Sequence, residues 1–402
     1  MTRISEPALG RDGWVVALDA SRNRSGGGRT HLINLLQGGD PRDHGIRQVH
    51  VWAYKSLLEA LPDHPWLVKH GPPALEGSLA KQLLWQILEF TREFRAAGCD
   101  IVLNTDAGTV SSISPSVTMS RDMLSYEPGE IERFGWSKAR LRLLLLRYVQ
   151  NRSLRRAAGA VFLTNHAARV IQKSCGPLER LALIPHGIGD NFRGGGARPS
   201  WPAPGERPIR CLYISNAALH KHQWTVVEAI ATLRSGGLDI ELQLVGGGSG
   251  PGLERLHRQI AISDPDRTFV DEVGAVSHAQ LPEYLSRADL FIFASSCENM
   301  PNTLVEAMAS GTPIACAKRG PMPEVLEDGG VYFDPEKPDS IADAVASLMG
   351  DADLRRTVSE TAQALAMQYS WRRCARETWT FLAETCALTR EPDERPLPDP
   401  SN

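Results

Sequence analysis

The stretch from Ala288 to Ile314 constrains the fold more than any other part of the sequence. Its apolar run, Leu290 to Ala294, does not alternate with polar residues, which is typical of a parallel strand covered on both faces. A polar loop, a short helical pattern and a second apolar run follow. Gly311 can supply the left-handed residue that ends the helix, and Pro313 prevents its continuation. This succession of strand, helix and strand predicts a parallel α/β sheet.

The loop and helix of this stretch combine two carboxylates with a predicted helix start. Backbone N–H groups at Asn302 and Thr303, at the carboxyl end of a parallel strand, offer a site for phosphate. Glu298 and Glu306 could then bind hydroxyl groups on either side of a diphosphate. Thr303-x-x-Glu306 is also a capping box, in which Glu306 would only stabilise the helix start. Both interpretations of Glu306 remain open at this point.

The motif Glu298-x7-Glu306, followed by Ala307-Met308-Ala309 and Gly311-x-Pro313, resembles the signature of family 4 glycosyltransferases. These are retaining enzymes of GT-B fold. The resemblance extends in order through both halves of the chain, over residues 14–36, 161–192, 212–229 and 245–335.

The resemblance implies an α/β GT-B fold, with two Rossmann-like parallel-sheet domains facing a cleft and a C-terminal helix that returns to the first domain. A chain of 402 residues is too long for one ordinary core and fits two domains of roughly 190 residues. We expect an acceptor-side domain over 1–190, a Gly- and Pro-rich linker over 191–208, a nucleotide-sugar-binding domain over 209–368, a crossover helix over 369–387 and a disordered tail over 388–402.

Composition excludes several classes of protein. The net charge of −3 argues against a general nucleic-acid binder, so no nucleic-acid partner is expected. The seven cysteines include no C-x-x-C pair, which suggests neither a disulfide framework nor a zinc site. No apolar run approaches the length that spans a membrane. A cytoplasmic location is therefore expected.

The resemblance also implies roles for individual residues of the second domain. Glu298 and the backbone at Asn299 and Met300 would hold the transferred sugar, and Glu306 the ribose. Lys221, in a loop after the first strand of that domain, would bind the diphosphate together with the amides of Asn302 and Thr303. From the residues alone, Lys221 could also be an exposed lysine flanked by His220 and His222.

In the first domain, Gly27 and Gly28 follow a buried strand. The resemblance places them beside the donor phosphates and the acceptor, whereas the residues alone would also fit a flexible surface loop. Many relatives carry a His-Asp pair where this chain has Arg121-Asp122. Arg121 could contact a sugar hydroxyl or an anionic acceptor, or it could pair with Asp122.

The phosphate-binding residues also depart from the family pattern. Relatives commonly place an arginine ahead of the lysine, and the equivalent here is Ser215 or Asn216, so Arg319 is a possible substitute. No D-x-D motif stands on a loop after a strand, so we expect no metal site, no cofactor and metal-independent activity. Lys221 and the helix start would then balance the charge of the leaving diphosphate.

Residues 136–156 contain seven basic side chains, no acidic one, and four consecutive leucines. A helix here would be amphipathic and basic, and could dock on anionic lipid where a lipid-linked acceptor is found. It could also be a domain element with a solvated basic face. The possible membrane contact, peripheral on the inner face of the plasma membrane, stays a hypothesis.

The sequence therefore predicts an enzyme that transfers a sugar from a nucleotide-sugar donor to a hydroxyl acceptor with retention of anomeric configuration. The expected acceptor is a lipid-linked or growing surface glycan. Alternatives are a non-catalytic sugar-binding protein of the same fold, a storage-polysaccharide phosphorylase or synthase, and a dinucleotide-dependent oxidoreductase. The glycine run 246–248 lacks the G-x-G-x-x-G spacing of the last class.

Overall fold

The structure is a computed structural model that describes residues 13–24, 26–193, 200–203 and 205–390. The strands are β1 (Trp14–Asp19), β2 (Ile46–Trp52), β3 (Leu67–His70), β4 (Ile101–Asn104), β5 (Ser116–Met119), β6 (Gly159–Phe162), β7 (Leu181–Leu183), β8 (Ile209–Ile214), β9 (Ile240–Val245), β10 (Val270–Gly274), β11 (Leu290–Phe293), β12 (Ile314–Ala317) and β13 (Val331–Phe333). The helices are α1 (Gly27–Gln37), α2 (Lys55–Leu58), α3 (Leu79–Leu88), α4 (Phe90–Ala96), α5 (Lys138–Arg156), α6 (Asn165–Cys175), α7 (Gln223–Ser235), α8 (Pro251–Ser263), α9 (Leu281–Arg287), α10 (Asn302–Ser310), α11 (Met322–Leu326), α12 (Pro338–Gly350), α13 (Ala352–Ala366) and α14 (Trp371–Arg390).

The described chain divides into two compact units. The first comprises residues 13–126, 136–187 and 371–390, and the second comprises 127–135 and 188–370. We expected residues 127–135 in the first domain, whereas the structure places this passage in the second unit. The predicted linker and tail fall partly on 194–199, 204 and 391–402, which lie outside the described residues. Residues 388–390, predicted to belong to the tail, continue α14.

The first unit is built on a parallel sheet with strand order β3-β2-β1-β4-β5-β6-β7. Its central strands are buried on both faces, as the residues of β4 and β5 illustrate. Helix α14 packs on this unit against α1, β1 and β4 and buries Trp379 and Leu382. The predicted return of the C-terminal helix to the first domain is therefore confirmed.

The second unit repeats this design with the strand order β10-β9-β8-β11-β12-β13, again parallel throughout. The two strands predicted in the 288–314 stretch are β11 and β12, and every residue of both is buried. Helix α10 ends at Gly311, whose φ of 71° is left-handed as predicted. The α/β class with two parallel Rossmann-like sheets is confirmed.

Two helices differ from their predicted extent. Helix α1 begins at Gly27 rather than near His31. The helical pattern over 79–96 is divided at Glu89 into α3 and α4. Trp85 and Phe90 are five residues apart and would point in different directions on one continuous helix. The break brings their rings to a centroid distance of 4.8 Å, so both are buried together.

Each sheet has a switch point where successive connections run in opposite directions along the sheet. In the first unit it lies between β1 and β4, and in the second unit between β8 and β11. Open parallel sheets bind ligands at the carboxyl ends of the strands at this point. The loops after these four strands are therefore the places to look for a site.

Candidate functional site

Lys221 and Glu298 come together at the switch point of the second unit. Lys221 ends a 3-10 turn (Leu219–Lys221) in the loop after β8, and its carbonyl accepts a hydrogen bond from the Tyr213 hydroxyl at 2.6 Å. Glu298 lies in the loop after β11. The Lys221 Nζ forms an ion pair with Glu298 Oε1, and the side chains are only 11% and 15% exposed. Because buried pairs add little net stability, this pair points to function rather than to folding.

Glu306 is buried on α10 and does not form the capping box. The residue that precedes the helix is Pro301, and no side chain caps this end. The alternative in which Glu306 only caps the helix is therefore wrong. Its Oε1 instead accepts a hydrogen bond from His278 Nε2 at 2.7 Å, while its Oε2 is buried without a hydrogen-bond partner. One oxygen of a carboxylate that is 6% exposed is thus left for a ligand.

His278 was not found from the sequence. It begins a 3-10 turn (His278–Gln280) that follows β10, 28 positions before Glu306. Burial raises the pKa of Glu306 and the bond from His278 lowers it, with a net rise. The same bond raises the pKa of His278. No local motif marks His278, because its role depends on the packing of two distant segments.

The remaining predicted residues of this unit lie on the same loops. Asn299 and Met300 are buried between β11 and α10, and Asn302 and Thr303 form the first turn of α10. The N–H of Asn302 already donates to the Met300 carbonyl at 3.0 Å, so a ligand at this turn would compete with that bond. Asn216 is exposed in the loop after β8.

Arg319 lies in the loop after β12. A Cβ placed on the adjacent Gly320 would be 3.7 Å from the Ser296 carbonyl oxygen, so this loop is adjacent to the one that carries Glu298. The guanidinium of Arg319 is half-exposed and bonded to Asp334 at 3.2 Å. Its suggested part in binding phosphate stays a prediction.

In the first unit, Arg121 packs against the beginning of α1. A Cβ on Gly28 would collide with the Arg121 guanidinium, so only glycine allows this close approach. Arg121 Nη2 donates to Asn23 Oδ1 at 2.7 Å and lies 3.5 Å from Asp106 Oδ2, while its Nε is buried without a partner. The structure thus brings the predicted residues Gly28 and Arg121 together. It also places Asn23 and Asp106 beside Arg121, and neither of these was predicted from the sequence. Gly27, also predicted, is the first residue of α1.

The predicted alternative of an Arg121–Asp122 ion pair is wrong, because Arg121 forms its ion pair with Asp106. Asp122 turns instead to the backbone that follows it, and its Oδ1 accepts a hydrogen bond from the N–H of Leu124 at 3.1 Å. Burial raises the pKa of the Asp122 carboxyl.

His31 lies on the face of α1 that also presents Gly27 and Gly28, four and three residues earlier. Its ring is fully buried and stacks on His186 at a centroid distance of 4.7 Å, with Trp371 at 6.1 Å. Neither ring nitrogen of His31 has a hydrogen-bond partner. Burial, with His186 and Arg121 nearby, lowers its pKa well below the usual value. His31 was not among the site residues predicted from the sequence.

Most of the basic stretch 136–156 forms α5, and Trp136 lies two residues before the helix begins. Trp136 is 98% exposed, and Leu141, Leu145 and Tyr148 form an exposed stripe at helical spacing. No helix in the described part of the chain is long and apolar enough to cross a membrane. Among the same residues, no cluster of three or more His, Cys, Asp or Glu side chains could hold a metal ion.

Solved structures of very different sequence share this fold. Sucrose-phosphate synthase from Thermosynechococcus elongatus matches with a TM-score of 0.72 and 17% identity, over 93% of this chain and 100% of that chain. Anabaena HepE, solved in complex with UDP and glucose, matches with a TM-score of 0.67 and 19% identity, over 92% and 99%. The fold is GT-B. The GT-B fold of this chain predicts where a ligand binds but not which reaction follows.

A protein-family model matches most of the second unit. Residues 198–365, which include Lys221, Glu298 and Glu306, match the family model described as Glycosyl transferases group 1. Alpha-D-kanosaminyltransferase from Streptomyces kanamyceticus is 27% identical over 237 residues, which is 56% of this chain and 60% of that relative. Across four such relatives, the matched part spans between 29% and 60% of their length.

Proposed function

We propose that this protein is a retaining glycosyltransferase of family 4 that transfers a sugar from a nucleotide-sugar donor to a hydroxyl acceptor. One observation carries the proposal. A buried Lys221–Glu298 pair and a buried Glu306 with one unpartnered oxygen adjoin the switch point of the second unit. This combination of a cation, a helix start and two carboxylates suits a diphosphate flanked by hydroxyl groups. It lies in the region that resembles glycosyl transferases group 1.

In this proposal, the diphosphate binds to Lys221 and to the N–H groups at Asn302 and Thr303. Lys221 is already paired with Glu298, so the ammonium is held ready rather than free in solvent. A bound diphosphate would share or take over this ammonium, which would release Glu298 to accept a hydrogen bond from the sugar. The backbone at Asn299 and Met300 would hold the sugar from the same loop.

Glu306 is proposed to bind the ribose through Oε2. His278 fixes the other oxygen of the carboxylate at 2.7 Å, so Oε2 has a defined position. A buried acceptor without a partner is costly, and a ribose hydroxyl would satisfy it.

The transfer is proposed to occur on the front face of the donor. The bond between the anomeric carbon and the diphosphate oxygen breaks, and a bond to the acceptor oxygen forms on the same face. The acceptor proton moves to the leaving diphosphate, so no carboxylate of the enzyme acts as nucleophile. Lys221 and the start of α10 would stabilise the negative charge that develops, without a metal and with no cofactor other than the substrate itself.

The first unit is proposed to supply Arg121 and Asp122 at the acceptor side, and Gly27 and Gly28 beside the donor phosphates and the acceptor. The guanidinium of Arg121 keeps one buried N–H without a partner beside Gly28. This arrangement suits a sugar hydroxyl or an anionic group of a glycan or lipid-linked acceptor.

We also propose that α5 docks on an anionic membrane surface, as expected for a cytoplasmic enzyme that uses a lipid-linked acceptor. The exposed leucine stripe and the arginines of α5 give it apolar area and complementary charge. The protein should sediment with phosphatidylserine vesicles at low salt and dissociate at high salt. Equal binding to neutral vesicles, or binding to neither, would contradict this part of the proposal.

The main test is a panel of nucleotide sugars offered to purified protein with glycan and lipid-linked acceptors. The proposal predicts release of nucleoside diphosphate, a product with the anomeric configuration of the donor, and unchanged activity in chelator. Binding without release would indicate a non-catalytic protein. Activity that is lost in chelator and restored by magnesium or manganese would overturn metal independence, and an inverted product would overturn retention.

A further inference from the structure

The passage 127–135 belongs to the second unit although the chain enters it from the first unit and returns there at Trp136. It contains a 3-10 turn (Ile131–Phe134) that is preceded by Glu130. Glu130 has a side-chain exposure of only 3%. A carboxylate so deeply buried needs partners, and nothing in the proposed reaction uses it directly.

Both oxygens of Glu130 are engaged. Ser296 Oγ lies 2.6 Å from Oε1, and Arg133 Nε donates to Oε2 at 2.9 Å. Arg133 also forms an ion pair with Glu336, a half-exposed residue. Arg133 therefore balances the charge of Glu130, and Ser296 connects Glu130 to the loop that carries Glu298.

Ser296 in turn contacts His222, with 2.9 Å between Oγ and the ring Nε2. The hydroxyl has one hydrogen, and the charged Glu130 at 2.6 Å is a nearer and stronger acceptor than the His220 carbonyl at 3.3 Å. His222 must then donate from Nε2 to Ser296. Burial lowers the pKa of His222 to about 4, which agrees with a neutral ring in this role.

His222 occupies a backbone conformation that suits glycine. Its φ of 49° and ψ of 29° are left-handed, and it lies between Lys221 and the first residue of α7. A non-glycine residue holds this conformation only when its surroundings impose it. Ser296 supplies two such restraints, because its Oγ binds the His222 ring and its N–H donates to the His220 carbonyl at 2.8 Å.

We propose that Glu130 is a positioning residue that acts through Ser296 and His222 to hold Lys221 against Glu298. This inference rests on the proposed function of Lys221. His222 donates a hydrogen bond to Ser296, and Ser296 donates one to Glu130. Glu130 is held at the end of this chain of hydrogen bonds by Arg133. A residue from the N-terminal third of the chain thereby sets the geometry of the phosphate-binding lysine.

The test is a double-mutant cycle on turnover of the nucleotide sugar. Glu130→Gln should lower turnover about tenfold, within the usual coupling for residues joined in one hydrogen-bond network. His222→Gly should retain at least about a third of turnover, because glycine adopts the left-handed conformation without restraint. In the His222→Gly background, Glu130→Gln should then cost less than about twofold. Additive losses in the cycle, or wild-type turnover of Glu130→Gln, would overturn the proposal.

Glu336→Gln is the matched control. It removes another carboxylate that Arg133 contacts but leaves Ser296 untouched, so turnover should change by less than about twofold. If Glu130→Gln does not fold, Ser296→Ala replaces it in the cycle with the same expectations. A tenfold loss in Glu336→Gln would assign the effect to Arg133 and would contradict the proposal.

Hydrogen exchange separates this inference from the proposed function. Amides of residues 219–222 should exchange faster in Glu130→Gln than in the wild type and should be unchanged in Glu336→Gln. If no nucleotide sugar is turned over, the proposed function fails, and exchange alone decides the inference. Unchanged exchange at 219–222 in a folded Glu130→Gln variant would overturn it.

Discussion

The two units share a strand order around their switch points but place their charges there differently. In the second unit, Lys221 is paired with Glu298, and Glu306 accepts a hydrogen bond from His278. In the first unit, Arg121 is bonded mainly to the neutral Asn23, and Asp106 is 3.5 Å away. A ligand that binds Lys221 must exchange partners with a formed ion pair, whereas Glu306 Oε2 and Arg121 Nε are buried without a partner.

The shared sheet therefore sets where ligands bind, and the loops after the strands determine which groups they meet. Exchange of partners suits a step in which charge builds up on a leaving group, because the ammonium of Lys221 gains most as the reaction proceeds. A cation with an unpartnered donor suits ground-state binding of an acceptor. If the proposed function holds, substitutions at Lys221 should act mainly on turnover and substitutions at Arg121 mainly on acceptor affinity.

The largest effect is expected for Lys221→Ala. Turnover should fall by about a hundredfold, the usual scale for one preorganised electrostatic donor, with a smaller loss of donor affinity. Steady-state kinetics with the preferred nucleotide sugar measures both quantities. The exposed Lys337, exchanged for alanine, is the matched control and should remain near wild type. Near-normal turnover of Lys221→Ala would move the phosphate site toward Arg319.

Glu306→Gln should weaken nucleotide binding while the protein remains folded. A hydrogen bond to a charged group contributes about 1.5–3 kcal/mol, so the affinity should fall by about tenfold or more. Titration calorimetry gives the affinity, and thermal unfolding gives the stability. An unchanged affinity in a strongly destabilised variant would mean that Glu306 serves only the packing of α10.

Arg121→Gln tests the first unit. It should raise the KM for the acceptor by up to about tenfold, the scale of one charge-assisted hydrogen bond, and leave nucleotide affinity unchanged. Asp106→Asn, which removes the nearest carboxylate but keeps Arg121, is the control and should have the smaller effect. Loss of nucleotide affinity in Arg121→Gln would break the division of roles between the two units.

The smallest effect is expected for His278→Ala, through pH. His278 lowers the pKa of Glu306, so its removal should raise that pKa further. Nucleotide binding that needs the ionised carboxylate should then be lost at a higher pH on the acid side. At pH 7 the affinity should fall by no more than about fivefold, the scale of a half-exposed ion pair. If the acid limb of the pH profile for nucleotide binding is the same in His278→Ala and the wild type, His278 does not affect the carboxylate that is proposed to bind ribose.

The sequence predicted the structure best in the stretch 288–314, where the candidate site residues stand next to the residues that begin and end the strands and the helix. Strand β11, helix α10 and its end at Gly311 follow from apolar runs and turn residues, and the structure brings the predicted Lys221 and Glu298 together. The capping-box alternative failed because it depends on the residue at which α10 begins, and Pro301 rather than Thr303 precedes the first helical residue.

What the sequence did not reveal depends on contacts between distant segments. His278 and Glu306 are 28 positions apart, and Glu130 and Ser296 are 166 positions apart. Neither pair forms a motif, because only packing brings the partners together. The left-handed His222 was equally hidden, since histidine gives no signal for a conformation that glycine would mark.

The decisive experiment is a crystal structure of the protein with a bound nucleoside diphosphate. We expect the diphosphate at Lys221 and the first turn of α10, with a ribose hydroxyl on Glu306 Oε2. Density for the diphosphate away from Lys221 and α10, with Lys221 still paired to Glu298 and Glu306 Oε2 unoccupied, would contradict the proposed site.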